Sequence, residues 1–402
     1  MVCVCQNLTI ITTMNRAASK LLQANITSFE ATLLRRATAS SSSSSSGVLR
    51  RALSSKNVTA AAADRRLAGR RRFYNVVGIA PSIAPVKPDK NNKVTNGDNT
   101  VQSPISAGVD GTQSATGVNT SIKETSKWTL RLNPNKDNDN NKEEWYSVTL
   151  DGRAIRTPLG LPFALPSPAL ALAVASEWDS QKTYLQPAQM PIMTLCCTAI
   201  DQVASDPTAH QTDIIRYLRN DTSCYWVDPT EDRVLNRQQA QAWEKLHKTV
   251  SSELLGLPDD LGPAQAVGGS DALLISRKSD GNKMSGLPHP PLLVEKAKKW
   301  IDSLDAWTLT ALYSAAAESK SFFIAAAMIF EATQHAKGEC KVATRDPKWA
   351  VQAARVEEEF NIEMWGLVEG GHDYDRLNSS IQMHAASFVA QNVAASFHLH
   401  GR

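Results

Sequence analysis

The hydrophobic period changes once along this chain, and that change limits the fold more than any other feature. In Trp145-Tyr-Ser-Val-Thr-Leu150 apolar and polar residues alternate with period two, as in a half-buried strand, and Trp128–Leu132 does the same. Asp151-Gly152 is a tight-turn signal, Arg153–Thr157 returns as a third strand before Pro158, and Phe163–Leu165 offers a fourth. One face of so small a sheet needs a cover. A helix is expected from Pro168, with Ser167 as N-cap and Leu170, Val174 and Trp178 recurring every four residues. Helices at Met193–Val203 and Thr208–Leu218 and a strand at Thr222–Val227 follow. Beyond them the repeats are helical: Asp232–Leu254, Leu292–Ser303, Ala306–Ala316, Glu318–His335, Pro347–Glu359 and Tyr374–His398. The expected class is α+β. A small β-rich N-terminal domain with covering helices (127–229) precedes an all-α helical bundle domain (230–402), which a Gly/Ser/Pro-rich loop at 256–291 interrupts.

Charge divides the chain differently. Residues 1–75 hold 12 Lys/Arg against Glu30 and Asp64, a net of +10, while the remainder holds 31 basic and 38 acidic residues, a net of −7. An arginine-rich, acid-poor N-terminus with the Ser40–Ser46 run is the composition of an organelle import leader. Such a segment is drawn toward the negative side of an energised membrane with about 2.3 kcal/mol per charge per 100 mV. The mitochondrial import machinery is therefore an expected partner. Arg71-Arg72-Phe73-Tyr74 offers a cleavage site. Residues 76–126 contain no aromatic residue and are rich in Pro, Asn, Gly, Ser and Thr, which reads as a disordered linker or insertion. The acidic body argues against nucleic-acid binding. The longest apolar run, Phe322–Phe330, is far shorter than the roughly 20 residues of a membrane span. Cys3, Cys5, Cys196, Cys197, Cys224 and Cys340 show no metal spacing and read as reduced, small apolar residues.

Catalytic signatures are missing: no phosphate-binding loop, dinucleotide glycine fingerprint, nucleophile elbow or H-E-x-x-H occurs. No cofactor or metal is expected. His372-Asp373 has the form of a base with its orienting carboxylate, but no nucleophile accompanies it. Two clusters set carboxylates beside aromatics. Glu357-Glu358-Glu359 precede Phe360 and Trp365, and Glu177 and Asp179 flank Trp178. Such clusters are either a solvated face or a binding surface in which aromatics supply contact area and acids select the partner.

Three segments together resemble the mitochondrial ATP synthase assembly chaperones of the Atp-twelve family, also called assembly factor two. They are Tyr146–Pro158, with its L-D-G-R-x-I-R-T-P end; Leu165–Gln181, with its E-W-D-x-Q end; and Glu358–Gly366, similar to the family's E-x-[FYW]-Q-x-x-x-W-G. Asn361 stands in place of the usual Gln. Arg71–Tyr74 also resembles the basic-Phe-Tyr start of the family's folded domain, in which case the insertion begins only after it. The resemblance implies a non-enzymatic protein of the mitochondrial matrix. Its partner would be the free α subunit of the soluble catalytic sector, held until assembly. Carried over residue by residue, the functional positions implied are Glu358, Trp365 and Gly366 in the last segment and Glu177, Trp178, Asp179 and Gln181 in the second. The tryptophans either touch the client or orient the two domains. Glu358 is expected to be an exposed carboxylate of little consequence for stability. An enzyme using His372 and Asp373, and a structural adaptor protein, are the competing readings.

Overall fold

The computed structural model describes residues 69–83, 127, 131–132, 144–268, 286–339 and 344–400. Residues 1–68 of the leader, residues 84–126 of the linker, Trp128, Cys340 and residues 269–285 of the loop lie outside the described residues.

Strands β1 (Val77–Ser82), β2 (Trp145–Leu150) and β3 (Arg153–Ala154) form an antiparallel sheet in that order. The β1–β2 register runs from Val77 opposite Leu150 to Ser82 opposite Trp145. Asp151 and Gly152 close the β2–β3 hairpin with φ of 48° and 80°. A two-residue turn of this hand needs both central residues left-handed, which Gly152 adopts without a Cβ clash. Pro81 lies on β1, an edge strand where a missing N–H is tolerated. Helix α1 (Pro168–Ser180) covers the sheet, with Leu170, Val174 and Trp178 buried as their spacing predicts. Ser167 takes the extended N-cap conformation, yet its side chain makes no capping bond.

The rest of the described chain is mostly helical. It comprises α2 (Pro191–Thr198) with a π turn at Ala199–Val203, α3 (Thr208–Arg219), α4 (Arg233–Thr249) with a π turn at Val250–Leu254, α5 (Pro291–Asp302), α6 (Ala306–Ser319), α7 (Phe322–Lys337), α8 (Pro347–Ala354), α9 (Val356–Trp365) and α10 (His372–His400). Asp232, Asp305, Ser321 and Asp346 cap their helices by accepting backbone N–H bonds. Helix α10 lies against α6 and α7, where small buried side chains such as Ala311, Ala315, Ala386 and Ala390 permit close approach.

Several expectations are corrected. Arg131 and Leu132 are helical, where a strand was predicted. Tertiary anchors override the local alternation: Arg131 donates to the carbonyls of Ala204 and Ser205 at 2.9 Å each, and the buried Leu132 carbonyl accepts from Trp307 at 3.1 Å. Residues 69–83 belong to the folded body and not to leader or linker, because β1 pairs along all of β2 and Tyr74 is buried. The boundary at 229/230 is no break in the core, since α2 and α3 already pack on α6 and one buried cluster runs from Tyr74 to Val393. Thr222–Cys224 is a 3-10 turn before a two-residue strand, β4 (Tyr225–Trp226). That strand pairs in parallel with β5 (Ala266–Val267), inside the segment expected to be a loop. The helix expected over Pro347–Glu359 is broken at Arg355, whose φ and ψ are −114° and 18°.

Candidate functional site

The end of α1 is an internal joint. Glu177 is 2% exposed, and its two carboxylate oxygens accept the N–H groups of Ile192 and Met193, both at 2.8 Å. These are the first donors of α2. Met190, at the N-cap, makes no capping bond of its own, and Pro191 has no N–H, so Glu177 completes the end from another helix. Burial pushes its carboxyl up to about 8, with the two N–H bonds pulling the other way. Gln181 is buried, donates to the Glu177 carbonyl at 3.2 Å and accepts the Gln186 N–H at 2.8 Å. Trp178 is 3% exposed and stands edge-on to Tyr74 at 5.5 Å between ring centres. The Tyr74 hydroxyl donates to the Trp178 carbonyl at 2.6 Å, and burial pushes this phenol up to about 12, so it remains a donor. Arg72 donates to the Asp179 and Gln181 carbonyls at 3.0 and 2.5 Å and meets the Asp179 carboxylate at 3.4 Å. Asp179 is the exposed member of this group. Of the two roles open to this segment, the contacts of Glu177, Trp178 and Gln181 are internal, and they fix the first strand and α2 to α1.

Helix α9 has the opposite character, burying none of its residues. Its base is tied down. Glu357 accepts from Gln239 of α4 at 2.7 Å, and Glu359 is gripped by Arg376 of α10 through two contacts, one at 2.8 Å. Arg376, with a smaller contribution from Arg355, holds the Glu359 carboxyl below the usual carboxylate range. Glu358 pairs with Arg355 at 2.5 Å; the arginine side chain is 8% exposed and the glutamate 35%. Glu358 is thus the partner of a buried cation and not the free surface carboxylate expected.

At its other end α9 projects. Trp365 is 84% exposed, Met364 and Val368 are each 61% exposed, and Leu367 is exposed as well. Gly366 ends the helix with φ 91° and ψ 161°, a conformation open essentially to glycine, while its N–H still closes onto the Ile362 carbonyl at 2.9 Å. The chain then turns directly into α10, with the Val368 N–H donating to His372 Nδ1 at 3.2 Å. The His372 N–H donates back to the Val368 carbonyl at 3.3 Å, so the imidazole closes a local turn, and Asp373 beside it is exposed. Among the described residues no group of three or more His, Cys, Asp or Glu is placed to hold a metal, and no helix is long and apolar enough to cross a membrane.

One buried polar cluster escaped the sequence reading. Asp221 accepts the Ser223 N–H and hydroxyl at 2.9 and 2.7 Å and the Phe323 N–H at 3.0 Å. Burial pushes it up to about 6 despite these donors. Ser223 Oγ lies 2.8 Å from His247 Nε2, and burial, then His289, push His247 down to about 4. The cluster joins the 3-10 turn, α4 and α7 in the interior. Its sequence signal is Asp221-Thr-Ser223, an Asx-turn pattern that overlaps the start of the strand expected over Thr222–Val227.

The fold has a counterpart among solved structures. It superposes on a point mutant of P. denitrificans Atp12p with a TM-score of 0.52 at 22% identity, covering 81% of this chain and 98% of that one. Residues 132–251 match the family model described as ATP12 chaperone protein. Protein ATP12, mitochondrial, of Saccharomyces cerevisiae is 25% identical over 301 residues, covering 68% of this chain and 86% of that protein. Protein atp12, mitochondrial, of Schizosaccharomyces pombe is 25% identical over 235 residues, covering 57% and 71%. Over residues 132–251 the chain is thus similar to the ATP12 chaperone family, and the two yeast relatives carry that similarity beyond the matched segment. The relatives are named as mitochondrial proteins, in agreement with the basic, acid-poor composition of residues 1–75.

Proposed function

We propose that the chain is a chaperone of the mitochondrial matrix that binds the unassembled α subunit of ATP synthase and promotes assembly of its soluble catalytic sector. It acts by reversible shielding of an exposed interface, with no nucleotide hydrolysis. The observation that carries this reading is the apolar end of α9, where Met364, Trp365, Leu367 and Val368 face solvent together. A patch of this kind, rimmed by polar groups, is the mark of a protein-binding surface. Trp365 is the anchor, Gly366 sets the turn that presents it, and Glu358 holds the helix base through Arg355.

Aggregation of isolated α subunit on dilution from urea, followed by light scattering, tests the reading. Wild-type chain suppresses the scattering at equimolar ratio. Trp365→Ser loses most of that effect with an unchanged melting temperature, because the indole makes no interior contact to lose. Full suppression by Trp365→Ser would remove the α9 end from the mechanism.

A further inference from the structure

A groove of about 620 Å³ opens beneath the β2–β3 turn. Tyr74, Leu150, Ile155, Trp178 and Met193 give it apolar walls. Phe73 lines its mouth, 56% exposed, with the Arg70 guanidinium 5.1 Å over the ring. The segment Leu150–Pro158, the Trp178 of E-W-D-x-Q and Phe73-Tyr74 thus meet at one opening, although they lie far apart in the sequence.

The charges around the opening have one dominant sign. Arg153 and Arg156 line it and are exposed, and neither has an ion-pair partner among the described residues. Arg156 is steadied by donating to the Gly160 carbonyl at 3.1 Å. The one lining carboxylate, Asp151, is turned to the backbone and accepts the Asn75 and Val76 N–H groups at 3.0 and 2.8 Å. This cationic rim sits on a body whose net charge over residues 69–402 is −4. An apolar cleft of a few hundred Å³ with a few placed polar groups has the size and character of a binding site, and its charge selects the complementary partner.

We propose that this groove is a second client-binding site, taking an extended polypeptide segment that carries large apolar and acidic side chains. The proposal rests on the chaperone reading but on different residues from the α9 end. Apolar side chains of the segment enter between Tyr74, Trp178 and Met193, and its carboxylates meet Arg153 and Arg156. Because the walls come from the sheet, α1 and α2, the shape of the site depends on the Glu177 joint.

The test uses the full chain and two labelled, end-capped nine-residue peptides, one alternating Leu and Phe with Glu and its twin with Lys in place of Glu. Binding is read by fluorescence anisotropy. Wild type is expected to bind the acidic peptide at least about tenfold more tightly than the basic one. The double variant Arg153→Glu, Arg156→Glu, both at exposed positions, is expected to reverse the preference while keeping the wild-type circular dichroism. Equal affinity for the twins, no binding of either, or an acidic preference that survives the double variant overturns the proposal. Acidic-peptide binding that emerges only after deletion of residues 84–126 also overturns it, because the groove's occupant is then the chain's own segment. No α subunit enters the assay, so a failure here leaves the α9 reading standing, and failure of α-subunit binding leaves this site standing.

Discussion

Removing the Glu177 carboxylate separates two helices that no local sequence rule connects. The glutamate supplies acceptors to the N–H groups of Ile192 and Met193 at 2.8 Å each, in a position with 2% exposure. In Glu177→Ala both donors are left buried and unpaired, at about 1–3 kcal/mol each. Part of that loss is offset because the buried carboxyl group no longer has to be desolvated. A net destabilisation of about 2–4 kcal/mol is expected. Glu177→Gln keeps one acceptor and turns an amide N–H toward the other donor, so about 1–3 kcal/mol is expected. Urea unfolding followed by circular dichroism gives the global value, and hydrogen exchange of residues 190–195 should lose protection first. pH supplies a second, independent readout. A carboxyl raised from 4.5 to about 8 in the folded chain contributes stability that is complete below pH 4.5 and is lost as pH rises through 8. The wild-type advantage over Glu177→Gln should therefore shrink across that window. A change below about 0.5 kcal/mol in Glu177→Ala, or an advantage that grows with pH, would refute the reasoning.

Two further outcomes follow from the same contacts. Glu358→Lys places a cation against the buried Arg355 guanidinium, leaving Glu359 at 3.3 Å as its remaining partner, so a loss of about 1–3 kcal/mol should appear in thermal unfolding. An unchanged melting temperature would show that Glu358 is a free surface group after all. Arg72, Tyr74 and β1 belong to the fold, so N-terminal sequencing of the processed chain should find a start upstream of Gly69. A start at Phe73 would contradict this.

What the sequence revealed follows from how local its signals are. Trp145–Leu150 and its Asp-Gly turn are legible because alternation and positive-φ chemistry are both local. The stripe Leu170, Val174 and Trp178 is legible for the same reason. Arg131 and Leu132 were misread because their partners, Ala204, Ser205 and Trp307, lie more than 70 residues away. The boundary at 75/76 failed because composition cannot show that Tyr74 donates to a carbonyl beside Trp178. At the candidate site, motif resemblance singled out segments but carried no information on their exposure. The carboxylates of Glu177 and Glu358 look alike in sequence, yet one caps a buried helix end and the other, partly exposed, pairs with a buried arginine. Trp178 and Trp365 differ still more, one edge-on to Tyr74 in the core and the other in solvent.

The central claim is selective capture of the α subunit through the end of α9. The direct measurement is binding of the wild-type chain to isolated α and isolated β subunits in parallel, by calorimetry, with Trp365→Ser alongside. The account predicts a complex with α, none with β at the same concentration, and a loss of α affinity of at least about tenfold in the variant, as for an aromatic anchor worth more than 1.4 kcal/mol. Equal binding to both subunits, binding to neither, or full α affinity in Trp365→Ser would contradict it.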